Sequence, residues 1–131
     1  MSFHTTGGTG LTIDSSLNST FAGTVSDSKG NLRLIPANNQ SSAYTLTTSD
    51  IGKHVSISSG GITVPQNIGQ GAAITIINNS GSDQTITQGS GVTMYNTADA
   101  TTGNRTLAGR GMATILFVGN TDCYISGAGL S

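Results

Sequence analysis

Few residues in this chain could do chemistry, and they are scattered. Six Asp (Asp14, Asp27, Asp50, Asp83, Asp99 and Asp122), no Glu, five Lys or Arg, two His and a single Cys make up the ionisable set of 131 residues. Two carboxylates held together could divide the work of general acid and base, but no two Asp lie within a few residues of each other. Five of the six fall at or beside turn sequences, where an Asp side chain bonds backbone two residues on, so turn formation is their expected role. His4 and His54 belong to no visible set of three or four metal ligands. Cys123 lacks an adjacent base and reads as a small buried hydrophobe rather than a nucleophile. Seventeen Ser are present without a G-x-S-x-G elbow. The glycine-rich pieces Gly7-Gly8-Thr9-Gly10 and Gly109-Arg110-Gly111 have no helix after them to cradle a phosphate. Arg105 and Arg110 flank Leu107, either at a solvated strand edge or in an ion pair with an Asp of another subunit. No catalytic set, metal or cofactor is expected.

Composition narrows the class. Gly, Thr, Ser, Asn and Gln supply 71 residues, and only 8% are charged, against about a quarter in ordinary soluble domains. The scarcity of Lys, Arg and Glu argues against helices. A net charge of −1 without a basic cluster excludes an electrostatic grip on nucleic acid or on an anionic membrane. Three Tyr, three Phe and no Trp leave little surface for stacking bases or sugars. The longest apolar run, 112–118, is about a third of a bilayer span. The N-terminal residues show no basic-then-apolar leader, so a soluble protein made in the cytoplasm is expected.

Apolar residues alternate with Ser and Thr almost throughout. Val55 and Ile57 precede Gly60-Gly61, and Ile62 and Val64 follow, ended by Pro65. This spacing predicts a β-hairpin with both glycines at positive φ. A similar design returns around Gly89-Ser90-Gly91, after a strand at 72–77. Two such copies are read as hairpins of one antiparallel sheet system rather than as a solenoid, which needs a sustained fixed period. The run 113–118 is apolar at successive positions, as in a central strand covered on both faces, and 124–126 is a further strand. The pattern predicts an all-β chain. Residues 44–131 form an antiparallel β-sandwich or barrel, preceded by an extended, β-rich segment 1–43, with 37–42 as linker. Leu11, Ile13, Leu17, Phe21, Val25, Leu32 and Leu34 are too thinly spaced to close a core alone. Three copies sharing this segment around an axis would bury them.

Several pieces, in order, resemble a module of tailed-bacteriophage structural proteins, cyanophages included. They are 24–33 (TVSDSKGNLR), 42–46 (SAYTL), 50–57 (DIGKHVSI), 61–65 (GITVP), 86–93 (ITQGSGVT), 102–107 (TGNRTL) and 125–130 (ISGAGL). The resemblance implies a non-enzymatic, β-rich domain of fibre or head-decoration proteins, in a homotrimer. Only about 43 residues precede the β domain, which fits a small capsid-bound protein better than a complete receptor-binding fibre. The expectation is a homotrimeric decoration (cement or head-fibre) protein on the virion surface, bound to the major capsid protein through Phe3, His4, Leu11 and Thr12. The alternative is a short tail fibre or fibre tip, whose loops around 94–102 meet a host-surface glycan.

Overall fold

The computed structural model describes the backbone of residues 2–5 and 7–131, with side chains from Gly7 onward except Thr9. Among these residues the chain is all-β, its only helical turn being the short 3-10 segment Thr48–Asp50. It divides into two units, Met1–Leu34 and Ile35–Ser131.

In the first unit, strands β1 (Ser2–Thr5), β2 (Gly8–Ile13) and β3 (Ser19–Phe21) form an antiparallel meander with Leu11 opposite Phe21. The β2–β3 turn is organised by Asp14, whose Oδ1 accepts the N–H groups of Ser16 (2.8 Å) and Asn18 (3.0 Å). A small hairpin follows, β4 (Ser26–Asp27) with β5 (Gly30–Asn31). Leu17, Phe21, Leu32 and Leu34 are exposed, whereas Leu11, Ile13 and Val25 are half-buried.

The second unit holds β6 (Ala37–Gln40), β7 (Tyr44–Thr45), β8 (His54–Ile57), β9 (Ile62–Val64), β10 (Ala73–Asn78), β11 (Gln84–Gln88), β12 (Thr93–Asn96), β13 (Arg105–Phe117) and β14 (Asp122–Leu130). The sheet runs β6-β8-β10-β13-β11-β9-β7, so it curls until its two ends are strands joined by three residues, a nearly closed barrel. β14 pairs with β13 and carries β12 beside it.

Both expected hairpins are absent. β8 pairs with β6 and β10, β9 with β7 and β11, and β11 with β9 and β13, while β12 pairs with β14. The sheet is therefore mixed rather than antiparallel. Gly60 and Gly61 do adopt positive φ (85° and 73°), but they turn the chain through an arch, so that β8 and β9 face each other across the core. The alternation of Val55 and Ile57 with Ile62 and Val64 suits both geometries: a hairpin puts all four on one face of one sheet, an arch points them at each other. Three strand–arch–strand coils (β6/β7, β8/β9, β10/β11) stack in parallel. They align Asn38, Val55 and Ile76 on one side and Tyr44, Ile62 and Ile86 on the other. This is a short solenoid, the arrangement that the sequence reading set aside. Its columns are unevenly spaced along the chain, which hides the period. The supposed linker contains β6, whose Asn38 and Gln40 turn half-inward.

Close stacking of the arches fixes the glycines. A Cβ on Gly60 would collide with the Ala43 backbone, and one on Gly61 would lie 2.6 Å from the Thr85 carbonyl oxygen. β13 then joins the stacks: Arg105–Leu107 pairs with β11, and Met112–Leu116 with β10. A bulge with Arg110 at φ 66° bends the strand between these stretches. Inward side chains, among them Val55, Ile62, Ile74, Ile86, Leu107, Ile115 and Ile125, form one buried cluster. β13 is central in its sheet but covered on one face only. Ala113, Ile115 and Phe117 are buried, whereas Met112, Leu116 and Val118 are exposed, so the expected cover on both faces is not found.

Candidate functional site

Three of the five buried polar or charged residues of the second unit, Asp50, Asn78 and Gln84, lie at its coils and arches. At the first coil the inward positions are polar, and Asp50, only 1% exposed, is their hub. Its Oδ1 accepts from Asn38 Nδ2 (2.7 Å); its Oδ2 accepts from the Thr47 N–H (2.8 Å), Tyr44 OH (3.0 Å) and Thr47 Oγ1 (3.2 Å). Gln40 Nε2 extends the network to Asn38 Oδ1 at 2.7 Å. Burial alone would raise the Asp50 carboxyl pKa, but the donors from Thr47, Asn38 and Tyr44 outweigh it and hold the group below its ordinary range. A fully bonded carboxylate of this kind holds structure, and it has no open coordination for substrate.

At the third coil, Asn78 is fully buried. Its Nδ2 faces the carbonyl oxygens of Ser82, Leu107 and Ala108 at 2.8–2.9 Å, and its Oδ1 accepts from the Ser80 N–H and hydroxyl. Gln84 bridges coils: its Oε1 accepts the Gly61 N–H at 3.1 Å, and its Nε2 reaches Ser80 Oγ at 3.3 Å. Neither residue was singled out from the sequence. The signal was an amide at an inward position of an otherwise apolar strand.

The remaining aspartates bond nearby groups. Asp27 Oδ1 accepts the Lys29 N–H, Asp99 Oδ1 takes the Thr101 N–H and hydroxyl, and Asp83 Oδ1 takes the Gly109 N–H. Hydrogen bonds from the Thr101 side chain and backbone hold the exposed Asp99 carboxyl below its ordinary range. His54 Nδ1 lies 3.1 Å from the Ile35 carbonyl oxygen, to which it donates. Cys123 is fully buried, and burial, aided by the Asp122 charge, pushes its thiol up to about 11, so it is not poised as a thiolate. Among the described residues no three His, Cys, Asp or Glu are placed to hold a metal ion.

Arg105 is not at a solvated edge: it turns inward, 9% exposed, and its Nε has no hydrogen-bond partner among the described residues. Arg110, by contrast, is exposed and donates from Nη1 to Asn79 Oδ1 at 2.9 Å. The residues expected to meet the capsid lie on β1 (Phe3, His4) and β2 (Leu11, Thr12); the side chains of Phe3 and His4 are outside the described set. Of those expected at a trimer axis, Phe21 and Val25 line an open groove of about 540 Å³, with Thr24, Asn31 and Arg33.

The outward face of β10, β13, β14 and β12 carries apolar and hydroxyl side chains. Ala73, Thr75 and Ile77 lie beside Met112, Thr114 and Leu116. Tyr124, Ser126 and Ala128 follow on β14, and Tyr95 on β12 stacks on Tyr124 with ring centroids 5.1 Å apart. Thr75 and Thr114 share a hydroxyl–hydroxyl hydrogen bond of 2.9 Å across the strands. Compared with known proteins, the sequence matches no described family and no curated protein.

Proposed function

We propose that this chain is a non-enzymatic structural protein of a tailed-phage virion: a homotrimeric decoration protein that binds the outer capsid surface through residues of its first unit and stabilises the shell. The observation that supports this reading most directly is how the polar interior is used. Asp50, Asn78 and Gln84 are bonded to the coils and arches that carry them, and the sheet outside is a nearly uncharged wall. A fold organised in this way supplies a rigid surface. The resemblance in sequence to phage fibre and decoration domains supplies the setting. Repeated over a shell, even about 1,000 Å² of interface per copy would resist internal pressure cooperatively, and low charge avoids repulsion between neighbouring copies.

The test is the copy number and position of the chain on purified virions, by quantitative mass spectrometry and gold-labelled antibody. Label over the head at a hundred or more copies is expected. A few copies confined to the tail would overturn decoration in favour of a fibre tip binding a host glycan.

A further inference from the structure

We propose that the outward face of β10, β13, β14 and β12 is the surface through which two copies of this chain pair, about a two-fold axis that sets their β13 strands antiparallel. Met112, Leu116 and Tyr124 are 53%, 46% and 43% exposed and lie on neighbouring strands of one sheet, and Val118, 41% exposed, directly follows β13. The backbone beneath them is already ordered by the sheet, so covering this face orders side chains only. Four strands at about 4.8 Å spacing, each presenting roughly 17 Å of chain, give some 300–400 Å² in projection. Side chains standing up from the sheet raise the accessible area above this projection, toward the roughly 800 Å² that each partner contributes to a standard interface.

The charges select the occupant. Between its two ends the face carries Ala73, Thr75, Ile77, Met112, Thr114, Leu116, Tyr124, Ser126, Ala128 and Tyr95 without a formal charge. A charged partner would be desolvated there with no return. Residues of opposite charge stand at the two ends. Asp122 stands where β14 begins, beside Val118, and Arg110 stands at the bulge before Met112. The exposed Asp83 carboxylate, held by the Gly109 N–H, also lies at the Arg110 end and keeps its charge, so the complementarity rests on the two Arg110–Asp122 contacts. A second copy turned by a two-fold axis brings its Arg110 over Asp122 and its Asp122 over Arg110, while the Thr75–Thr114–Ser126 row crosses the same row of its partner. One surface thus meets both demands: apolar contact in the middle and opposite charges at the rims.

This inference does not rest on the virion reading, because the copies pair wherever the chain resides. The test is the mass of the full chain by light scattering and sedimentation between about 1 and 200 μM, with circular dichroism as the folding check. The expected mass is an even multiple of the monomer. Leu116→Glu and, separately, Tyr124→Glu should halve it with the spectrum unchanged; a trimer joined through the first unit would read as a hexamer falling to a trimer. Asp122→Arg alone and Arg110→Asp alone should each weaken pairing about tenfold or more, and the double exchange should restore it to within about threefold. A monomer or an odd multiple overturns the proposal, whatever else covers the face. So does a mass indifferent to Leu116→Glu and Tyr124→Glu. A double exchange that fails to restore pairing overturns the two-fold arrangement.

Discussion

Asn78 offers the sharpest test of how the coils are held. Its amide offers two N–H groups to three carbonyl oxygens, those of Ser82, Leu107 and Ala108, and accepts twice from Ser80. Asn78→Ala removes four hydrogen bonds at once. Each is worth about 1 kcal/mol net, and a buried carbonyl or N–H left without a partner costs about 1–3 kcal/mol. The Ser82 carbonyl lies in an exposed part of the arch and recovers its bond from water; the Leu107 and Ala108 carbonyls and the Ser80 N–H are less accessible. The expected loss is about 3–5 kcal/mol, a large part of a typical domain's 5–15 kcal/mol. Urea unfolding followed by circular dichroism measures it, with the slope unchanged if only the folded state is affected. Asn78→Asp then gives a signature that no packing defect shares. It sets a carboxylate against three carbonyl oxygens, which raises the folded-state pKa of the new group. A raised carboxyl pKa means that the folded state binds the extra proton, so this variant should gain stability as pH falls toward about 4, where the wild type does not. An Asn78→Ala loss below about 1 kcal/mol, or an Asn78→Asp variant with the wild-type pH profile, would refute the reasoning.

Asp50 runs the other way. Its folded pKa is depressed, so its contribution is complete above the ordinary carboxylate range near pH 4 and is lost as pH falls through the lower folded value. The urea midpoint should drop more steeply in the wild type than in Asp50→Asn between about pH 5 and 2. Gly61→Ala places a Cβ 2.6 Å from the Thr85 carbonyl oxygen at φ 73°; strain and clash together should cost about 2–4 kcal/mol, read as a lowered melting temperature. Ile115→Asp puts an unpaired charge between Ile74 and Ile125 and should leave no soluble folded protein, whereas a charge at the neighbouring outward Leu116 should not prevent folding.

The sequence was informative where a residue's local chemistry decides its role. The alternation around Val55 and Ile62, the positive φ of Gly60 and Gly61, the strand end at Pro65, and Asp14 and Asp27 as turn residues could all be read from spacing and side-chain chemistry. What remained hidden depends on which strands are neighbours. Period-two alternation gives each side chain an inside or an outside, but it does not say whether consecutive strands pair or face each other, so arches were read as hairpins. β6 does not stand out in the sequence because Ala37-Asn-Asn-Gln40 has no large apolar side chain to bury; its half-inward Asn38 is satisfied by Gln40 and by Asp50, twelve residues away and beyond local patterning. Asn78 and Gln84 were missed for the same reason, since their partners Leu107 and Gly61 are distant in sequence.

The position of β13 has a consequence for how the protein comes into being. It lies between β10 and β11, the inner strands of the two stacks, yet the ribosome produces it only after all the strands of both. Until Arg105–Phe117 emerges, each stack waits with an unpaired inner edge, and the core lacks Leu107, Ile115 and Phe117. Contacts of such long sequence separation are slow to form. This unit therefore closes late in its folding, its coils open at their inner edges until β13 is available to join them.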